Sequence, residues 1–116
     1  MEDRNSVVEM YFRAWGERDS SLLRGILHPD VDVVGPLGVI RGSDEYVQAL
    51  GHISSITRKI DVIKRWNDGG DVLTWFDLYH TYGDEGSPVA NWVHVENGLI
   101  NRVRITFDAH AVFGKE

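Results

Sequence analysis

The chain has 116 residues, of which 42% are hydrophobic and 26% charged, and its formal net charge at pH 7 is −6. That length supports one domain with a real core, so residues 1–116 are read as a single domain. The acidic balance, without a Lys/Arg stripe, argues against nucleic acid as a partner. The absence of cysteine excludes disulfides, thiolate metal sites and a thiol nucleophile. No apolar run reaches membrane-spanning length and no signal peptide opens the sequence, so a cytoplasmic protein without a membrane partner is expected.

In chain order, Val8, Tyr11, Phe12 and Trp15 recur at helical spacing and predict an amphipathic helix over 3–16. Asp3, Asn5 or Ser6 could cap it, and Gly16 reads as its stop. Asp19 or Ser20 caps a second, short helix with Leu22, Leu23, Ile26 and Leu27 inward, ended by His28-Pro29 because the residue before proline avoids the helical region. Val31, Val33 and Val34 suggest a short strand, broken by Gly35-Pro36-Leu37-Gly38. Ser43 opens a third helix, with Asp44 and Glu45 in the first turn where the dipole favours acids, and Gly51 ends it. Tyr46, Val47 and Leu50 line its buried face.

From Ile56 the pattern changes to period two. Ile56, Ile60, Val62 and Trp66 alternate with Thr57, Lys59, Asp61 and Arg65, and the turn cluster Asn67-Asp68-Gly69-Gly70 comes next. Residues 72–82 form a second long strand, and Gly83 to Pro88 the next turn. Val89 to Phe107 then reads as two alternating runs joined by Asn97-Gly98, a strong hairpin signal because both turn residues must take positive φ. A two-residue turn with unbroken register sets Trp92 opposite Val103 and His94 opposite Asn101. One face would then carry Trp92, His94, Val103, Ile105 and Phe107, an apolar wall holding one titratable ring. Three helices succeeded by antiparallel strands make an α+β domain with the helices on one face of the sheet.

This order, together with VVEMYFRAWGERD, LHPDVDVVGPLG and WVHVENGLINRVRITFD, resembles the nuclear transport factor 2-like superfamily. That superfamily includes ketosteroid isomerases and SnoaL-like polyketide cyclases. The resemblance implies a cone-shaped, curved antiparallel sheet with three N-terminal helices, the cystatin-like architecture. It implies a pocket for a small hydrophobic molecule, no cofactor, and a homodimer formed through the outer sheet face. It also puts Tyr11 at the position of the tyrosine that hydrogen-bonds an oxyanion in ketosteroid isomerases. The isomerases' catalytic aspartate is replaced here by Gly35, and their second oxyanion donor by Trp92. The acid that epoxide hydrolases and SnoaL-like cyclases carry on the last strand falls on Ile105, with Asp108 three residues beyond.

The same resemblance turns Trp75, Asp77 and Tyr79 into the pocket, whereas periodicity alone favours burial of the Phe76-Leu78 face. With Asp77 inward, a carboxylate walled by Trp75, Tyr79 and Trp92 would be desolvated and raised towards neutral pH, as suits a general acid or base. The candidate catalytic set is therefore Asp77, His94 and Tyr11. Trp15, Trp75, Tyr79, Trp92, Val103, Ile105 and Phe107 form the candidate ligand wall. An Asp77 facing solvent and a His94 satisfied within the core are the structural alternatives. His28, His52, His80 and His110 lack ligand spacing, so no metal site is expected. Two functions fit these residues: a cofactor-independent isomerase, cyclase, dehydratase or hydrolase, or a binding protein with the same pocket and no chemistry. A dimeric protein-interaction domain is a third.

Overall fold

The computed structural model describes residues 4–36, 38–81 and 83–109. The expectations for Asp3 as a cap, for Leu37 and Tyr82, and for the tail from His110 onward lie outside the described residues. The elements are α1 (Arg4–Glu17), α2 (Ser20–Ile26), β1 (Leu27–Gly35), β2 (Gly38–Arg41), α3 (Ser43–Ile56), β3 (Thr57–Asp68), β4 (Asp71–His80), β5 (Ser87–Glu96) and β6 (Leu99–Thr106). They form an α+β fold with one curved six-stranded sheet in the order β2-β1-β6-β5-β4-β3. The sheet is mixed, not purely antiparallel: β1 runs parallel to β6, and every other pair is antiparallel.

Gly16 does not stop α1. The helix ends one residue later, with Arg18 in the left-handed region (φ 58) and Asp19 N–H closing back onto the Ala14 carbonyl at 2.9 Å. This is the Schellman geometry usually given to glycine. The Arg18 guanidinium donates to the Ser54 and Ser55 carbonyls at the end of α3, which offsets the backbone cost of a left-handed arginine. Asp19 caps α2 as expected, accepting from Leu22 N at 3.0 Å. The His28-Pro29 pair lies inside β1 instead of ending a helix, and a short β2 takes up part of the stretch read as a break.

Gly51 does not end α3 either. Tyr46, Leu50 and Ile53 continue one helical face past it, and packing of that face outweighs the roughly 1 kcal/mol that an internal glycine costs.

Helix α1 lies across the inner face of the sheet. Phe12 and Trp15 meet the Phe76 ring edge-on at 5.1 and 5.4 Å, and the Trp15 indole donates to Thr57 Oγ1 at 3.0 Å. On β4 the inward set is Val72, Thr74, Phe76, Leu78 and His80, the set that periodicity favours.

Register shifts set which side chains face inward elsewhere, and two of them fall on positions the alternation was read through. One at Ile63 puts Val62 opposite Phe76 but Trp66 opposite Leu73, so Val62 and Trp66 do not share a face. The other is at Asn101. The Asn97-Gly98 turn forms as expected, with φ of 56° and 78°, but His94 then pairs with Arg102 and Trp92 with Arg104. The extra residue flips the face. Val89, Asn91, Val93 and Val95 point inward with Ile100 and Val103, while Trp92 and His94 share the outer face with Arg102 and Arg104.

Candidate functional site

An apolar cavity of about 240 Å³ opens between α3, the β1–β2 hairpin and β6. β1 contributes Val33 and Gly35, β2 contributes Gly38 and Ile40, α3 contributes Tyr46, Ala49, Leu50, His52 and Ile53, β6 contributes Ile105, and Phe107 follows just after it. These side chains converge because α3 lays one face over the curled end of the sheet where β1 and β6 run in parallel. Tyr46 and His52 are the polar side chains of the lining, and no carboxylate reaches it among the described residues. Gly35 approaches Ile105 closely: a Cβ on Gly35 would sit 3.0 Å from Ile105 Cγ2. The two positions where the resemblance led one to look for acids are thus in mutual contact and entirely apolar.

Behind Tyr46 lies a buried polar chain. The Tyr46 and Tyr11 hydroxyls are 2.6 Å apart, and Asn91 Nδ2 donates to the Tyr11 hydroxyl at 3.1 Å. Burial pushes the Tyr11 phenol up to about 12, although its bonds to Tyr46 and Asn91 work the other way. Burial, with the neighbouring Tyr11, raises Tyr46 well above its ordinary value. Both rings are therefore neutral hydrogen-bonding groups at physiological pH.

The candidate catalytic set does not converge. Tyr11 is on the inner side, one hydrogen bond behind the cavity wall, whereas Asp77 and His94 are on the outer face. Asp77 pairs with Asp61 on β3 and Pro88 on β5, not with Trp92. Six residues of β4, about 20 Å, separate it from the row that holds His94. His94 meets Asp71 instead, with Nδ1 3.0 Å from Oδ1, and Asp71 also accepts from the Trp92 indole at 2.9 Å. Burial would raise the Asp71 carboxyl. The bonds from Trp92 and His94 and the charges of His94 and Arg102 outweigh it and hold the group below its ordinary value.

Of the candidate ligand wall, Ile105 and Phe107 line the cavity. Trp15 and Val103 are core residues, Trp75 and Trp92 are 43% and 42% exposed on the outer face, and Tyr79 lies there under the Lys59 ammonium at 5.4 Å. Sequence reasoning missed His52, Ile53 and Asn91. The signal for the first two was the helical face continuing beyond Gly51, and the bulge at Asn101 hid the third.

A family model for the SnoaL-like domain matches residues 8–103. The chain belongs to the SnoaL-like domain family. No protein of curated function matches it. Among solved structures, a nuclear transport factor 2-like protein from Cytophaga hutchinsonii is 20% identical, with a TM-score of 0.83 over 97% of this chain and 96% of that one. A protein from Kribbella flavida described as a candidate ketosteroid isomerase is also 20% identical, with a TM-score of 0.79 over 90% and 77%. A de novo designed protein with a curved sheet is 21% identical, with a TM-score of 0.84 over 98% and 96%. At such identities the likeness establishes the fold. That a designed chain shares it underlines that the activity must be argued from the site of this SnoaL-like domain.

Proposed function

We propose that this SnoaL-like domain binds a small, largely apolar molecule in the cavity between α3, the β1–β2 hairpin and β6, as a binding protein without acid–base chemistry. The observation that carries this reading is the composition of the wall: apolar side chains, one phenol and one imidazole, with no carboxylate among the described residues. Small-molecule sites have this character, mostly apolar with few fixed polar groups. A ligand that binds only the folded state raises the melting temperature, by about 2.7 kcal/mol of stabilisation at one hundred times its dissociation constant. A panel of terpenoid, steroid and aromatic ketones should therefore give a saturable rise in Tm. Ile53→Trp, which fills the cavity from α3, should abolish the rise while the variant stays folded. A rise that survives Ile53→Trp would move the ligand elsewhere.

A catalytic reading has one specific support, His52, which shares the cavity with Tyr46 and is six residues further along α3, about 9 Å along the helix axis. An isomerase, cyclase, dehydratase or hydrolase at this site would take its base from His52, not from Asp77 or His94. The Kribbella protein's description as a candidate ketosteroid isomerase lends this reading company but no residue, since the aspartate of such enzymes is Gly35 here. Turnover abolished by His52→Gln with binding retained would establish it.

The outer sheet face supports a homodimer. Trp66, Leu73 and Trp92 are neighbours across β3, β4 and β5, Trp75 is in the next row, and all four are exposed. A second copy laid face to face would cover them.

A further inference from the structure

Helix α3 stands between two cavities. Tyr46, Ala49 and Ile53 face the apolar one already described. Val47, Gly51 and Ser54 face a second, of about 200 Å³, which Ala14, Arg18 and Leu23 close from the side of α1 and α2. At 3.6 residues per turn the two sets fall on opposite sides of the helix. The second cavity has room to spare, for a Cβ on Gly51 would meet nothing within 4 Å. Arg18 reaches across it. Its Nε donates to the Ser54 carbonyl at 3.2 Å and its Nη2 to the Ser55 carbonyl at 3.4 Å. The last turn of α3 has no basic residue of its own, so this guanidinium supplies a cation at the negative end of the helix dipole. Arg18 does so from a backbone with φ at 58°, which glycine adopts freely and arginine does not. An outlier of that kind points to a role for its side chain.

We infer that Arg18 is a positioning residue which, by holding α3 off the α1–α2 junction, limits the size of the apolar molecule the ligand cavity accepts. This rests on the apolar cavity being the ligand site, and it deepens that reading by naming what sets its width. The Trp15 indole, through Thr57, and the Thr81 amide, on the Ile56 carbonyl, fix the point where α3 runs into β3. Arg18 fixes the distance between the helix and the junction behind it. A ligand wider than the cavity is admitted only if α3 moves back into the second cavity, and the Arg18 side chain stands in that path. Arg18 touches no ligand, since it lies on the far side of the helix.

The test compares a bicyclic ligand, 2-decalone, with a tetracyclic one, androsterone. Their affinities are measured by ligand-observed NMR for the wild-type protein, Arg18→Gly and Gly51→Leu. Arg18→Gly removes the side chain from the second cavity and suits the left-handed backbone, so its Tm should stay near the wild-type value. The affinity ratio should move towards androsterone by about 5-fold or more, the usual size of a coupling between separate sites. Gly51→Leu fills the second cavity from α3, and the ratio should move the other way while 2-decalone binds as before. That unchanged binding also reports an intact ligand cavity. A ratio that is the same in all three proteins would overturn the inference and leave the cavity reading standing. So would an Arg18→Gly protein that loses affinity for both ligands equally, the mark of a merely structural residue. If neither ligand binds the wild type, both readings fall together. Should Arg18→Gly not fold, the Gly51→Leu ratio still decides.

Discussion

Gly35 and Ile105 show how a single missing Cβ shapes the cavity. Their strands run side by side, and the Ile105 side chain occupies the space a residue at 35 would need. Gly35→Ala should destabilise the protein by about 1 kcal/mol through overpacking, as seen in denaturant midpoints. That cost should shrink in an Ile105→Ala background, and a double-mutant cycle reads the coupling. Additive costs would mean that the contact at 3.0 Å is not what excludes the side chain. That Gly35 stands where the family resemblance leads one to expect an acid was legible in the sequence. That Ile105 fills the vacated space was not, because it depends on the parallel pairing of β1 and β6.

At the scale of elements, local chemistry was legible and strand parity was not. Asp19 caps α2 and Asn97-Gly98 makes the hairpin turn because each acts on its own backbone, within a few residues. Ile63 and Asn101 each add one residue to a strand without a glycine or proline to mark it, and each reverses the facing of the rest of its strand. The bulge at Asn101 pairs Trp92 and His94 with Arg104 and Arg102 on the outer face and leaves Asn91 inward, while the plain alternation of β4 turns Asp77 outward, so Tyr11 is parted from both.

The join between β4 and β5 carries a pH prediction. His80, near the end of β4, is buried, and its Nε2 is 3.1 Å from Ser87 Oγ at the start of β5. Burial, and then the Arg58 charge, lower its pKa below the ordinary 6.5. The unfolded chain therefore takes up the proton more readily than the folded one. The stability contributed by neutral His80 is complete above pH 6.5 and is lost as pH falls from there towards the folded value. Asp71, also depressed, acts in a separate window: its contribution is present above the ordinary 3.8 and is lost only as pH falls below it. Denaturant melts from pH 8 to 5 should show a decline that His80→Gln removes. A decline unchanged in that variant would assign it to other groups.

For the whole molecule, the two faces of the sheet divide the work. The inner face, under α1 and α3, holds the core and the cavity. The outer face carries a row of exposed indoles between ionic rows, with Arg102 over the Trp92 ring at 5.6 Å and Lys64 over the Trp66 ring at 5.4 Å. No described helix is long and apolar enough to cross a membrane. If a second copy covers the indole row, sedimentation equilibrium should give twice the chain mass, and Trp75→Glu should give a monomer with its secondary structure intact. A wild-type monomer at high concentration would leave this face to another protein.

The claim on which the rest depends is where an apolar ligand goes, and isoleucine methyl NMR answers it directly. The chain carries Ile40, Ile53 and Ile105 on the cavity wall, with Ile60 on β3, Ile63 at the bulge of that strand and Ile100 in the core, all away from the cavity. On titration with 2-decalone, the δ1-methyl signals of Ile40, Ile53 and Ile105 should move together and saturate, while those of Ile60, Ile63 and Ile100 stay in place. Shifts centred on Ile60 and Ile63, or spread evenly over all six, would contradict a ligand site beneath α3.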